Sequence, residues 1–456
     1  MNETGKTINK KKIFIMIIGI IAVIAVGTCF VIALKNHFSG ESSSSASLKN
    51  YKAGETITTG GTHKISGDNT CILVNTTEDV VLELDSTTIT CDSGPAINVT
   101  SAGKVEVVLT GDNTITSTTT ESLDGAIYSK ADLIFSGDGS LTVTSNYDGI
   151  VSKDDLIINS GTYTIKATDD GLRGKDNVEI TGGTFNITAG GDGIKTTNEK
   201  ESDKGNITIT GGEFTINSVN DGIQAVTNLT IKDGTFNIKT TGDTSDENVS
   251  AKGLKAGTLI TIDGGTYDIN TTDDGIHSNG NIVINKGKGS IDSKDDAIHG
   301  DGMVEVNGGT FDITAAEGIE GTYVKINDGT INISASDDGI NAGNKSNAYS
   351  VKIEINGGNI TIKMGQGDTD GVDSNGDIII NGGTINVTGQ STFDYDGTGV
   401  INGGTVICNG EQVTTLPNQI MGGGRGGNMG GPQGQQGDMG GPQGNMGSRG
   451  TRQRMR

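Results

Sequence analysis

Asp273-Asp274-Gly275-Ile276 and Asp337-Asp338-Gly339-Ile340 are the same four residues, and the chain returns to them repeatedly. Variants stand at Asp148-Gly149-Ile150, Asp169-Asp170-Gly171-Leu172, Asp192-Gly193-Ile194, Asp221-Gly222-Ile223, Asp295-Asp296-Ala297-Ile298 and Glu317-Gly318-Ile319. The aliphatic residue that closes each phrase is a ruler, falling at Ile150, Leu172, Ile194, Ile223, Leu254, Ile276, Ile298, Ile319 and Ile340. Where nothing is inserted, the step is 21 or 22 residues. A fixed period of that size is the signature of stacked repeats.

One repeat, Asp273 to Lys294, shows what is stacked. Gly275-Ile276-His277-Ser278 reads as a short strand, Asn279-Gly280 as a turn, and Ile282-Val283-Ile284 as a second strand with Ile282 and Ile284 on one face. After another Gly turn, Ser290-Ile291-Asp292 is a third. Strands this short must stack on copies of themselves. The expected fold is all-β: a parallel β-helix with three strands per rung, each rung climbing about 4.8 Å. Helical repeats are excluded, because no window carries apolar residues at helical spacing. The second and third strands keep register through pairs seven apart, such as Ile187 with Ile180 and Ile313 with Val306. Gly182-Gly183 and its equivalents make the turn between them. Tyr163, Phe185, Phe214, Phe236, Tyr267 and Phe311 face the same way as the aliphatics, so they are expected inside as core. About thirteen rungs run from Ile72 to Val372, a rod of roughly 60 Å, with a closing turn near Val400. Each end needs a cap, which the sequence does not mark clearly.

Outside the repeats, residues 13–34 form an uncharged apolar run long enough to span a bilayer. It follows a basic segment, 1–12, that is expected to stay cytoplasmic. We read the run as an uncleaved single-pass transmembrane anchor, with a cleaved signal peptide as the alternative. The body would then be extracellular, held at the cell membrane. Residues 35–50 read as a Ser-rich linker, 51–415 as the β-helix, and 416–456 as a disordered tail rich in Gly, Gln, Met and Arg. The formal net charge of −23 argues against nucleic acid as a partner and fits an exported protein that binds divalent cations. A Cys71–Cys91 disulfide suits an oxidising compartment, but Cys408 leaves the count outside the membrane run odd, so the pairing stays open. The chain is expected to be a monomer.

The residue after each ruler aliphatic points outward: Arg173, Lys195, Gln224, Lys255, His277, His299, Glu320, Asn341 and Asp373. Beside them runs a column of carboxylates, among them Asp169, Asp170, Asp192, Asp221, Asp273, Asp274, Asp295, Asp296, Asp337 and Asp338. Carboxylates stacked about 5 Å apart repel strongly, and Ca2+ relieves such repulsion with oxygen ligands. The plainer reading is that Asp-Gly is a good turn pair. It needs only one Asp where several rungs carry two, so these Asp residues are the expected calcium ligands. Insertions at 198–205, 239–250, 343–350 and 364–368 all flank the first strand, walling its face as a groove. Arg173, Lys195, Lys255, His277 and His299 are the candidate ligand-binding residues, with Lys195 and Lys255 expected to be exposed. Cations beside calcium suit an acidic, uronic-acid-containing polysaccharide. His277 and His299, one rung apart, could also bind a transition metal as a pair.

The phrases Asp337-Asp338-Gly339-Ile340 and Asn307-Gly308-Gly309-Thr310-Phe311-Asp312-Ile313 resemble those of a family of cell-surface carbohydrate-binding proteins. That family has a polysaccharide-lyase-like right-handed β-helix. The resemblance covers about residues 50–410. It implies right-handedness, calcium in the Asp turns, and binding of pectin-like or cellulosic polysaccharide rather than catalysis. Lack of Trp speaks against a flat cellulose platform. A pectate-lyase-like enzyme and a structural adhesin or stalk are the alternatives.

Overall fold

The protein's structure, a computed structural model, describes residues 49–50, 54, 56–118, 125–246, 249–367 and 369–418. The basic segment, the apolar run, most of the linker and the tail from 419 onward lie outside the described residues. Among the described residues every regular element is a strand, and no helix is long and apolar enough to cross a membrane.

The strands pair as the period requires. Leu172 lies beside Ile194, Ile194 beside Ile223, and Ile223 beside Leu254, all in parallel. The second strands stack in the same way, Ile180 on Ile209 on Ile231, and so do the third, Ile187 on Ile216 on Ile238. The chain therefore coils, laying three strands per turn onto the three below. The first-strand column has one more level at each end than the sequence revealed: Ile57 pairs below Val74, and Phe393 above Val372. Neither end level carries the Asp-Gly-Ile phrase.

Alternation does the rest. In the third strand Thr184–Ala189, residues Phe185, Ile187 and Ala189 are buried while Thr184, Asn186 and Thr188 are exposed. Tyr163, Phe185, Phe214, Phe236 and Tyr267 stack inside with ring centroids 4.8–5.1 Å apart and planes within 7°. Gly289 interrupts the stack between Tyr267 and Phe311, and Phe311 is nonetheless buried.

The glycine of Asp-Gly-Ile is explained by crowding rather than by turn geometry. A Cβ on Gly171 would lie 2.5 Å from Ile187 Cγ2 and 2.6 Å from the Gly193 carbonyl oxygen. In the second-to-third turn, by contrast, Gly183 has φ of 112°, a region that favours glycine. That corner also carries an asparagine ladder: Asn307 Nδ2 donates to Asn285 Oδ1, Asn327 to Asn307, Asn356 to Asn327, Asn381 to Asn356 and Asn402 to Asn381, all at 2.7–2.9 Å. The C-terminal cap is a hairpin. Glu411–Val413 runs antiparallel to Thr405–Cys408 through Asn409-Gly410, both at positive φ, a two-residue hairpin turn. Leu416 is buried and Asn418 Nδ2 donates to the Tyr395 carbonyl, so the packed body runs past residue 415. Cys71 and Cys91 form a disulfide, and Cys408 is a buried free thiol.

Candidate functional site

The outward residues of the first strands form one unbroken column. Arg173, Lys195, Gln224, Lys255, His277, His299, Glu320, Asn341 and Asp373 are successive parallel partners. Beside it the buried carboxylate of each entering turn is held from the next rung. The backbone N–H of Asp170 donates to Asp148 Oδ1 (2.9 Å), that of Asp192 to Asp170, of Asp221 to Asp192, and of Lys252 to Asp221 (each 2.8 Å). One carboxylate oxygen is thus spent on the coil itself, a role for Asp that a turn propensity does not reveal.

Over the lower part of the column the second oxygen is taken by a cation of the same chain. Arg173 Nη2 lies 2.6 Å from Asp148, Lys195 Nζ 2.6 Å from Asp192, and Lys255 Nζ 3.1 Å from Asp221. Lys252 bridges Asp273 (2.8 Å) and Asp274 (2.9 Å). His277 Nδ1 is 2.7 Å from Asp274 Oδ2. His299 Nδ1 sits between Asp296 (2.6 Å) and Glu320 (2.9 Å), and Lys345 reaches the other Glu320 oxygen at 2.8 Å. Lys195 and Lys255, expected to be exposed, are 27% and 22% accessible and ion-paired. Their stems lie against the coil because the partner carboxylates do. Two insertions contribute directly: Ser250 Oγ donates to Asp221 at 2.7 Å, and Lys345 belongs to the 343–350 loop. Ser250, Lys252 and Lys345 are site residues the period does not point to, since they lie in or beside insertions.

Burial sets the titration of these groups. It pushes Asp148 up to about 7 against the pull of Arg173, and Asp192 up to about 6, with Asp221 adding like charge. Burial also works against Glu320, but the His299 hydrogen bond and charge, with Lys345, hold it down to about 2. Burial opposes charge on His299, yet Asp296, Asp301 and Glu320 push it up to about 12. Lys195 is raised by Asp192 and Asp170 despite its burial.

The upper end is different. Asp338 accepts the Asp370 backbone N–H at 3.1 Å, and burial pushes it up to about 8. Glu317 rises to about 7, from burial and the charge of Glu320. Asp373 rises to about 6, from burial and then Asp370 and Asp394. Asp370 Oδ1 and Thr369 Oγ1 are buried with no hydrogen-bond partner. Among the described residues, no ion pair to Lys, Arg or His involves Asp338, Asp370 or Asp373 at this end. Of the expected calcium ligands, Asp169 and Asp170 come together with Asp148 of the neighbouring rung, and Asp273, Asp274 and Asp295 with one another, within 4.8 Å. Among the described residues, Asp192, Asp221, Asp337 and Asp338 do not join such a group. A shallow trough lies elsewhere, over Gly183, Gly212 and Gly234. Backbone and threonine line most of it, whereas the ion pairs lie on the first-strand face.

A long coil with one polar face flanked by insertions is a shape for an extended ligand. A family model described as carbohydrate-binding domain-containing protein matches residues 53–297 and 290–416. The chain belongs to this carbohydrate-binding domain family. It is also similar to a solved structure, the polysaccharide lyase-like protein from C. thermocellum in a gadolinium derivative. That protein is 35% identical, with 43% of this chain and 84% of that one covered and a TM-score of 0.40. No curated protein matches the chain.

Proposed function

We propose that the protein is a membrane-anchored, extracellular carbohydrate-binding protein whose first-strand face holds an acidic, pectin-like polysaccharide with calcium. The observation that carries this is the row of half-buried ion pairs from Arg173 to Lys345, walled by the insertions. Fixed, paired charges are strong hydrogen-bond partners for sugar hydroxyls, and they lose little freedom when a ligand settles on them. The Cys71–Cys91 disulfide supports an oxidising compartment. The coil is taken as right-handed, as the resemblance to the polysaccharide-lyase-like family implies.

Calcium fits one part of the column better than the rest. From Asp148 to Asp274 most carboxylate oxygens already have backbone and cationic partners. At the upper end Asp337, Asp338, Asp370 and Asp373 offer hard oxygen donors without an internal cation, and Asp370 Oδ1 and Thr369 Oγ1 lack partners. Those residues would hold the ion, which would supply positive charge for a sugar carboxylate. Binding rather than cleavage is favoured because a lyase needs a neutral base near its working pH. Lys195 is shifted up, away from that role.

The pairing of Arg173, Lys195 and Lys255 with Asp also favours a second reading, a neutral polysaccharide bound through hydroxyls alone. A glycan array probed with the full chain, in calcium and again in chelator, separates them. Binding to polyuronates that chelator removes supports the first reading. Chelator-insensitive binding to neutral glucans supports the second, and no glycan bound would leave a structural stalk.

A further inference from the structure

We infer that the His277–His299 step of the column is a site for one zinc-class divalent transition-metal ion, separate from any calcium site. The two imidazoles are parallel partners one rung apart with ring centroids 4.8 Å apart. Asp274, His277 and His299 offer ligand atoms that all lie within 4.8 Å of one another, and so do Asp296, His299 and Glu320. The carboxylates are buried, while both rings keep 13% of their side-chain surface open to solvent, which gives an ion a way in.

The remaining oxygens are already assigned in a manner that frees these. Asp274 Oδ1 accepts the Asp296 backbone N–H, leaving Oδ2 toward His277. Lys252, also on that Oδ2, keeps Asp273 at 2.8 Å if displaced. Glu320 Oε1 faces Lys345, and Oε2 faces His299. A single N–H of His299 lies between two carboxylate oxygens, from Asp296 and Glu320. One proton cannot point at both, whereas one divalent cation that displaces this proton to solvent can serve both.

Nitrogen and oxygen donors about 2.0–2.2 Å from a tetrahedral ion lie farther apart than these hydrogen-bonded atoms, so the side chains would spread slightly around it. Imidazole selects zinc-class ions, and calcium takes oxygen ligands. The paired rings therefore distinguish this step from the all-carboxylate turns.

The test titrates Co2+, then Zn2+, into the full chain held in excess calcium. One equivalent of Co2+ should give visible bands different from the aqua ion, and Zn2+ should displace it and raise the melting temperature. His277→Ala and Glu320→Gln should each weaken binding about tenfold or more, since even outer partners of metal ligands are worth that. His277→Ala removes a partly exposed ring with a single carboxylate partner, and Glu320→Gln conserves shape, so at least one should fold. An aqua-ion spectrum, displacement of cobalt by calcium, or unchanged affinity in the folded variants would overturn the inference. None of these outcomes depends on whether the protein binds a glycan.

Discussion

The lower and upper parts of the carboxylate column have the same backbone and different electrostatics. From Asp148 to Asp274 each buried Asp gives one oxygen to a backbone N–H of the next rung, and the other meets Arg173, Lys195, Lys255, Lys252 or His277. At the upper end Asp338 keeps the backbone bond, but among the described residues no internal cation faces Asp338, Asp370 or Asp373. A carboxylate column can thus be a structural strut that carries its own counter-charge, or an uncompensated cluster that calls for an ion from solution. The phrase Asp-Asp-Gly-Ile is the same in both, so the neighbouring rung decides which.

The largest effect should come from breaking compensation in the lower part. Lys252→Met leaves Asp273 and Asp274 buried without their shared ammonium and should destabilise the coil by about 3 kcal/mol, read from denaturant unfolding. An unchanged midpoint would mean that the lower carboxylates do not depend on internal cations.

Next comes the pH dependence. Asp338, Glu317, Asp148, Asp373 and Asp192 all have folded pKa values above their unfolded ones. The folded state then binds more protons between about pH 4 and pH 8, so stability falls as pH rises through that window. In calcium-free solution the body should lose roughly 2 kcal/mol between pH 5 and pH 8, after discounting for solvent screening. Calcium should restore much of this at pH 8 by mass action. Melting curves at both pH values, with calcium and with chelator, check this, and a flat or rising profile would contradict it.

Asp338→Asn should act in the opposite direction to Lys252→Met. It removes an uncompensated charge and should stabilise the calcium-free protein at pH 8 by about 1 kcal/mol, while weakening calcium's effect on melting. The smallest change is expected on the opposite corner. Asn327→Ala breaks the asparagine ladder and should cost about 0.5 kcal/mol, with little dependence on pH or calcium.

The coil was legible because its period is written in every rung: Ile150 to Ile340 mark the first strand, and the seven-residue pairs mark the other two. The outward column followed from alternation alone. Ion pairs within one rung, Asp192 with Lys195 and Asp274 with His277, can be read from i,i+3 spacing. Asp148 with Arg173, Asp221 with Lys255, and Glu320 with Lys345 cannot, because each joins different rungs, the last two across or into an insertion. Lys255 is therefore expected to be exposed on sequence alone, and so is Lys195 once its i,i+3 partner Asp192 is assigned to calcium. Gly-Gly alone is read as the turn, although the recurrence of asparagine before it at one register position is the signal for a ladder. Asn409-Gly410, a turn pair directly after the last third strand, is the signal that could have placed the closing hairpin.

The claim that a polysaccharide lies along the first-strand face is tested most directly by one charge placed on either corner. Gln224 stands between Lys195 and Lys255 in the column, so Gln224→Glu adds an acid that both lysines can accommodate without unfolding. Thr235→Glu adds the same charge at the exposed rim of the glycine trough. With polygalacturonate and calcium, isothermal titration should show Gln224→Glu weakening binding about tenfold, roughly 1.4 kcal/mol, and Thr235→Glu leaving it within about twofold. Equal effects, or the larger loss at Thr235, would contradict binding along this face.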